Sequence, residues 1–348
     1  MIWLTWRQFR TQGFAGLAFL AAVAAYLLIT GTQLRHSYTA DLATCRPQND
    51  TCFGLLNGLQ SDYNGPLQLA ELLVMAAPAV VGIFWGAPLI AGELERGTHY
   101  LTWNQSITRF RWLAVKLAGV ALASVIAVGA LSLLVTWFAS PLDTMSGNRF
   151  GTQAFNARDI TPLGYAAFAF VLGVTVGLLV RRTLPAMAAT LAIYFAVQIL
   201  VTAAIRPNLL PTTTTTVPIN QSTMSSQAVR FDRSEALTGP VTISLSAPPG
   251  SWALSQTPVL TSAGQPVQTG TVLTCWSRLL SQGGAGKQGS PDFGPLGACL
   301  APYDLHVDIT YEPADRYWPL QQIETGLYLA LAALLTAACF SRIRKLRG

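Results

Sequence analysis

Six long apolar runs restrict the fold of this chain more than any other feature. They extend from Gly13 to Gly31, Leu72 to Gly92, Ala114 to Ala139, Leu163 to Val180, Leu184 to Ile205 and Thr325 to Phe340. A helix needs about 20 apolar residues to cross a hydrocarbon core about 30 Å thick. Apart from Lys116, at the edge of the third run, the runs contain no Asp, Glu, Lys or Arg. A charge at a helix centre would cost about 2.5–3.5 kcal/mol. Only 11% of the chain is charged, against about 25% in ordinary soluble domains. A bilayer offers no water to unpaired backbone groups, so each span is expected to close its own hydrogen bonds as a helix. The sequence predicts an all-α polytopic membrane protein with six transmembrane helices.

Basic residues set the expected orientation, because positively charged flanks stay in the cytoplasm. Arg7 and Arg10 precede the first run, and Arg96, Arg109, Arg111 and Lys116 lie between the second and third. Arg181 and Arg182 separate the fourth and fifth, and Arg342, Arg344, Lys345 and Arg347 follow the sixth. All fall on one side, so both termini are expected in the cytoplasm and the three longer connections outside. The net charge of +6 is then a topology signal, and no nucleic-acid partner is expected.

Residues 1–12 read as an interfacial amphipathic helix: Ile2, Trp6 and Phe9 share one face, with Arg7, Gln8 and Thr11 turned away. The apolar run that follows is longer than a cleaved signal core. Residues 13–205 hold the first five spans, 206–323 a separate outer domain, and 324–348 the sixth span with its basic tail. In the outer domain "VTISLS" (241–246) and "LHVDITYE" (305–312) alternate with period two and predict strands, whereas "PTTTTTVP" (211–218) reads as an extended connector. A small, mostly β, extracellular domain between helices five and six is expected. Cys45 and Cys52 share the first outer loop and Cys275 and Cys299 the last, which allows two disulfides or four free thiols. Glu324, at the entry to the sixth span, reads either as a functional carboxylate or as a solvated acid at a helix N-terminus.

Catalytic constellations are missing. His36, His99 and His306 are scattered, so no zinc site is predicted; no Gly-x-Ser-x-Gly elbow occurs. "SQGGAGKQGS" (281–290) has Ser281 where a phosphate loop needs Gly, and Gln288 where it needs Ser or Thr. The runs offer only Ser, Thr, Tyr, Gln and Trp as polar groups, which argues against ion-coupled transport. The driving energy is expected to come from another subunit.

The segment "GELERGTHYLTWNQSITRFRW" (92–112) is the place for that energy to enter. Glu93 and Glu95 end the second span, Gly97 permits a turn, Thr98 can cap a short helix over 99–105, and Arg109 with Lys116 anchors the third span. Glu93, Glu95, Gly97, Thr98, Leu101, Ser106, Thr108, Arg109 and Lys116 together resemble the coupling element of ABC-2 type export permeases, although Gln105 stands where that family often has proline. The resemblance extends to the six spans and the large outer segment. It implies that Glu93, Glu95, Arg96, Gly97, Thr98, Leu101, Arg109 and Lys116 contact an ABC ATPase subunit, in two copies, which binds ATP and Mg itself. A second permease copy, identical or homologous, is implied, as is a bacterial plasma membrane.

A path between spans two and five would place Phe84 and Trp85 opposite Tyr194, Phe195 and Gln198, with Pro78 and Pro88 bending span two. Such a path suits an amphipathic or hydrophobic cargo: a drug, antibiotic, peptide or lipid. A receptor or sensor with an extracellular ligand-binding domain is the alternative. The short inner segments give it no signalling module.

Overall fold

A computed structural model describes residues 2–44, 50–97, 108–146, 149–226, 230–231, 241–267, 274–275, 277 and 293–345. The chain divides into two compact units, Met1–Leu209 with Trp318–Gly348, and Leu210–Tyr317. The described residues are mostly helical, with a small antiparallel sheet.

Among the described residues, six helical stretches are long and apolar enough to cross a membrane: Ala18–Ala43, Gly54–Glu95, Phe110–Met145, Thr161–Val180, Thr183–Asn208 and Ala314–Arg344. They coincide with the six apolar runs, and the protein is a multi-pass membrane protein. Helix α1 spans Ile2–Thr44 without a break. Span two combines α2 (Asp50–Val80), a π-turn over Val81–Gly86 and α3 (Ala87–Glu95). Then come α4 (Arg109–Ser146), the short α5 (Thr152–Ala157), α6 (Thr161–Val180) and α7 (Thr183–Leu200). Two spans are joined across Arg181 and Arg182, and that end of the bundle is here called the short-loop end.

The first three spans overshoot their apolar runs. The second covers 42 residues, about 63 Å at 1.5 Å per residue, roughly twice a hydrocarbon core. Residues 32–44 and 50–71, read from the sequence as an outer loop, are therefore a correction: they are helical. They form because Leu34, Leu59 and Leu67, beyond the apolar runs, pack on Val135, Phe138 and Leu142 of α4 in a core of their own. Arg35 locks two of these helices, donating to the Trp137 carbonyl and the Ser140 hydroxyl, each at 2.7 Å.

The π-turn in span two has a local cause. Pro88 has no N–H to give the carbonyl of Phe84, four residues earlier, and the helix widens just before it, with the Ala87 N–H reaching back to Gly82. The widened turn lies on α6, the most enclosed of the spans. Here two glycines of α6 fit against the backbone of span two: a Cβ on Gly173 would stand 2.3 Å from the Gly82 carbonyl oxygen, and one on Gly177 2.6 Å from that of Ala87. Backbones can approach this closely in a membrane only where side chains are small.

In the second unit, β1 (Thr213–Pro218), β4 (Trp252–Gln256) and β5 (His306–Glu312) make an antiparallel sheet ordered β1-β5-β4. Thr213 faces Tyr311, and Trp252 faces Glu312 across the other edge. The threonine run, expected as a connector, is thus a sheet strand. β5 supplies its ladder, and the β-branched residues suit a half-buried pleat. Within "VTISLS", β3 (Ile243–Ser244) pairs with β2 (Arg230–Phe231), and Val241 donates to the Val267 carbonyl and accepts from the Val259 N–H. Helices α8 (Gln221–Ser226) and α9 (Gly294–Leu300) close over Met224, Leu296, Val307 and Ile309. Cys275 and Cys299 form a disulfide. Cys45 lies outside the described residues, as does the side chain of Cys52, whose backbone belongs to α2.

Candidate functional site

Span two ends in two acids two residues apart, and each is bound to a different helix. Glu93 forms an ion pair with Lys116 of α4. The lysine side chain is 4% exposed, and its ammonium also lies over the Trp112 ring, 4.9 Å from the centroid. Glu95 turns the other way: its Oε2 accepts the Thr183 N–H at 3.0 Å and the Thr183 hydroxyl at 2.6 Å. Thr183 opens α7, so a carboxylate of span two closes the N-terminus of span five, where unpaired N–H groups and the helix dipole favour an anion.

The turn that follows obeys the same local rules. Gly97 adopts φ +69°, the left-handed conformation that ends many helices and costs glycine least. Thr108 starts α4, its hydroxyl accepting the Arg111 N–H at 3.3 Å as an N-cap. Arg96 caps the end of α3. Thr98, Leu101, Ser106, the short helix expected over 99–105 and the Arg109 side chain lie outside the described residues.

The five residues read as a pathway do not share one surface. Phe84 and Phe195 are about half exposed. Trp85 packs against Gly16 of the first span. Tyr194 is buried beside Phe168 of α6, with ring centroids 6.5 Å apart. Gln198 accepts a 2.8 Å hydrogen bond from Tyr328 of α10 (Tyr317–Lys345). These last three contribute to packing within the chain.

At the opposite end of the bundle the structure corrects the sequence. Glu324, which the sequence allows as either a functional carboxylate or a solvated acid, is fully buried, and Arg206, expected in the outer domain, is buried with it. Arg206 grips both carboxylate oxygens, Nε to Oε2 and Nη2 to Oε1, each at 2.7 Å. The guanidinium also donates to Asn156 and lies 4.3 Å over the Phe155 ring, while Tyr165 donates to Glu324. Gln321 accepts the Thr161 N–H and donates to the Phe155 carbonyl. A second cluster stands nearby in the chain: Arg158 binds Glu71 of span two and Asp143 of α4. Buried charges persist only when paired and hydrogen-bonded. The expectation of a bundle whose only polar groups are neutral therefore fails, because the charges sit just beyond the apolar runs and their partners are far away in sequence.

Six apolar helices, a tight joint at the short-loop end and enclosed ion pairs at the other define a polytopic membrane protein. The chain belongs to the family described as ABC-2 membrane transporter related, whose profile matches residues 17–206. Permeases of this family work with an ABC ATPase. No curated protein and no solved structure matches the chain.

Proposed function

We propose that the chain is the permease subunit of an ATP-driven exporter. The short-loop end and both termini face the cytoplasm of a bacterial cell, where an ABC ATPase that binds ATP and Mg docks beneath segment 92–112. Two permease copies, identical or homologous, enclose the path, with one ATPase under each, and the cargo is amphipathic or hydrophobic. The supporting observation is the double attachment of the α3 end: Glu93 to span three through Lys116, and Glu95 to span five through Thr183. A push on this turn moves three spans together, which a loop serving topology alone would not require.

Reconstitution with the native ATPase tests this reading. Glu95→Ala and Arg109→Glu are expected to insert normally while transport-coupled ATPase stimulation falls to the basal rate. Unchanged stimulation in both variants would remove the coupling role. Purification from native membranes without any accompanying ATPase would favour the sensor reading instead.

A further inference from the structure

Arg35 stands one turn beyond the apolar run of span one, four residues after Gly31, and is drawn against span three where that run ends at Ala139. Its Nη2 makes both hydrogen bonds of the guanidinium, to the Trp137 carbonyl and the Ser140 hydroxyl. The group also lies 4.6 Å from the centroid of the Trp137 ring. A guanidinium carries five N–H donors, and here Nε is buried with no partner while Nη1 makes no bond among the described residues. Arg158 and Arg206, at the same end of the bundle, each hold a carboxylate. Among the described residues Arg35 holds none. Asp143, three residues beyond Ser140, is taken up by Arg158 and Arg149. Toward the bilayer centre, Leu28 precedes Arg35 by seven residues and Leu133 precedes Ser140 by seven, which puts each leucine two turns down on the same helix face. Both are exposed, Leu28 by 46% and Leu133 by 63%.

We infer that Arg35 binds the phosphate of an anionic phospholipid headgroup, with an acyl chain lying along Leu28 and Leu133. A charge at the margin of two apolar runs stands at the depth of the headgroups, and the planar guanidinium fork matches phosphate oxygens. A long basic side chain that needed only water would extend away from the apolar surface. Arg35 is instead fixed inward at the seam of α1 and α4, with its charge uncompensated by the chain. A free phosphate ion offers the same oxygens, but only a lipid also covers the exposed leucines below. The site rests on the multi-pass membrane character of the chain and does not depend on the export reading, since lipid binding requires no ATPase.

Native mass spectrometry of the purified full chain in neutral detergent tests this, with dioctanoyl phosphatidylglycerol, dioctanoylglycerol and inorganic phosphate as probes. Saturable retention of phosphatidylglycerol is expected, about tenfold or more tighter than that of dioctanoylglycerol, which lacks the phosphate. Inorganic phosphate in excess should not displace it. Arg35→Gln lowers phosphatidylglycerol affinity by about tenfold, whereas Arg344→Gln, which removes the same charge from an exposed position at the end of span six, leaves it unchanged. Arg35→Lys keeps the charge but loses the planar fork, and lowers affinity severalfold; it decides the matter alone if Arg35→Gln does not fold. Equal retention of the two lipids, displacement by inorganic phosphate, affinity unaltered at Arg35, or an equal loss in Arg344→Gln overturns the site.

Discussion

The Glu95 carboxylate and the Thr183 residue it caps are 88 positions apart in the chain, yet they join the last turn of one membrane span to the first turn of another. Glu95 is exposed to solvent, so its removal alters the joint more than the fold. Glu95→Ala should leave the unfolding midpoint in detergent nearly unchanged and raise hydrogen exchange at the first amides of α7. Thr183→Val keeps the backbone bond and should show a smaller rise. Equal protection in wild type and both variants would mean that the contact carries no tension between the spans.

Arg206 and Glu324 present the opposite situation, two buried charges bound to each other through both carboxylate oxygens. Removing one partner of such a pair costs about 3–5 kcal/mol, whereas replacing both by apolar groups of similar size is often neutral. Arg206→Met and Glu324→Leu should each lower stability strongly, and the double variant should recover much of the loss. A double-mutant cycle on detergent-solubilised protein reads the coupling directly.

Close packing between spans two and four predicts a sharp contrast among glycines. Gly173→Ala forces a methyl group into the Gly82 carbonyl and should destabilise by about 1–3 kcal/mol. At Gly119, where an added Cβ meets nothing within 4 Å, alanine should be neutral or stabilising by about 0.5–1 kcal/mol. Thermal unfolding of the two variants side by side is sufficient.

In the second unit, Cys275→Ser with Cys299→Ser removes a bridge across 24 residues. The loss should be about 2–4 kcal/mol. Limited proteolysis should then cut within 210–317 before it cuts the spans, and mass spectrometry of the alkylated wild type should find Cys275 and Cys299 unmodified until reductant is added.

Much of this fold is legible in the sequence, and the parts that are not share a cause. Six spans follow from hydropathy because each apolar run answers to the bilayer alone. β5 follows from its alternation. By contrast Leu34, Leu59 and Leu67 sit among polar residues that dilute any average, and only their mutual packing makes α1 and α2 continue past the apolar runs. The threonine strand carries no alternation, since identical residues occupy both faces. At the candidate site, the paired acids and Gly97 stand out locally, but that Glu93 seeks span three and Glu95 span five is a tertiary fact. Arg206 and Glu324 lie 118 residues apart, each at the margin of an apolar run, where a lone charge reads as solvated until its partner is known.

The residues from Phe155 to Thr161 touch both enclosed charge clusters. Asn156 contributes to the arginine grip on span six, Arg158 reaches back to spans two and three, and the Thr161 amide is held by Gln321. A segment so shared behaves as a keystone: one side of the arch cannot be drawn apart while the other stays fixed. Parting of the helices at this end is therefore expected to be cooperative, because five spans meet at this one segment.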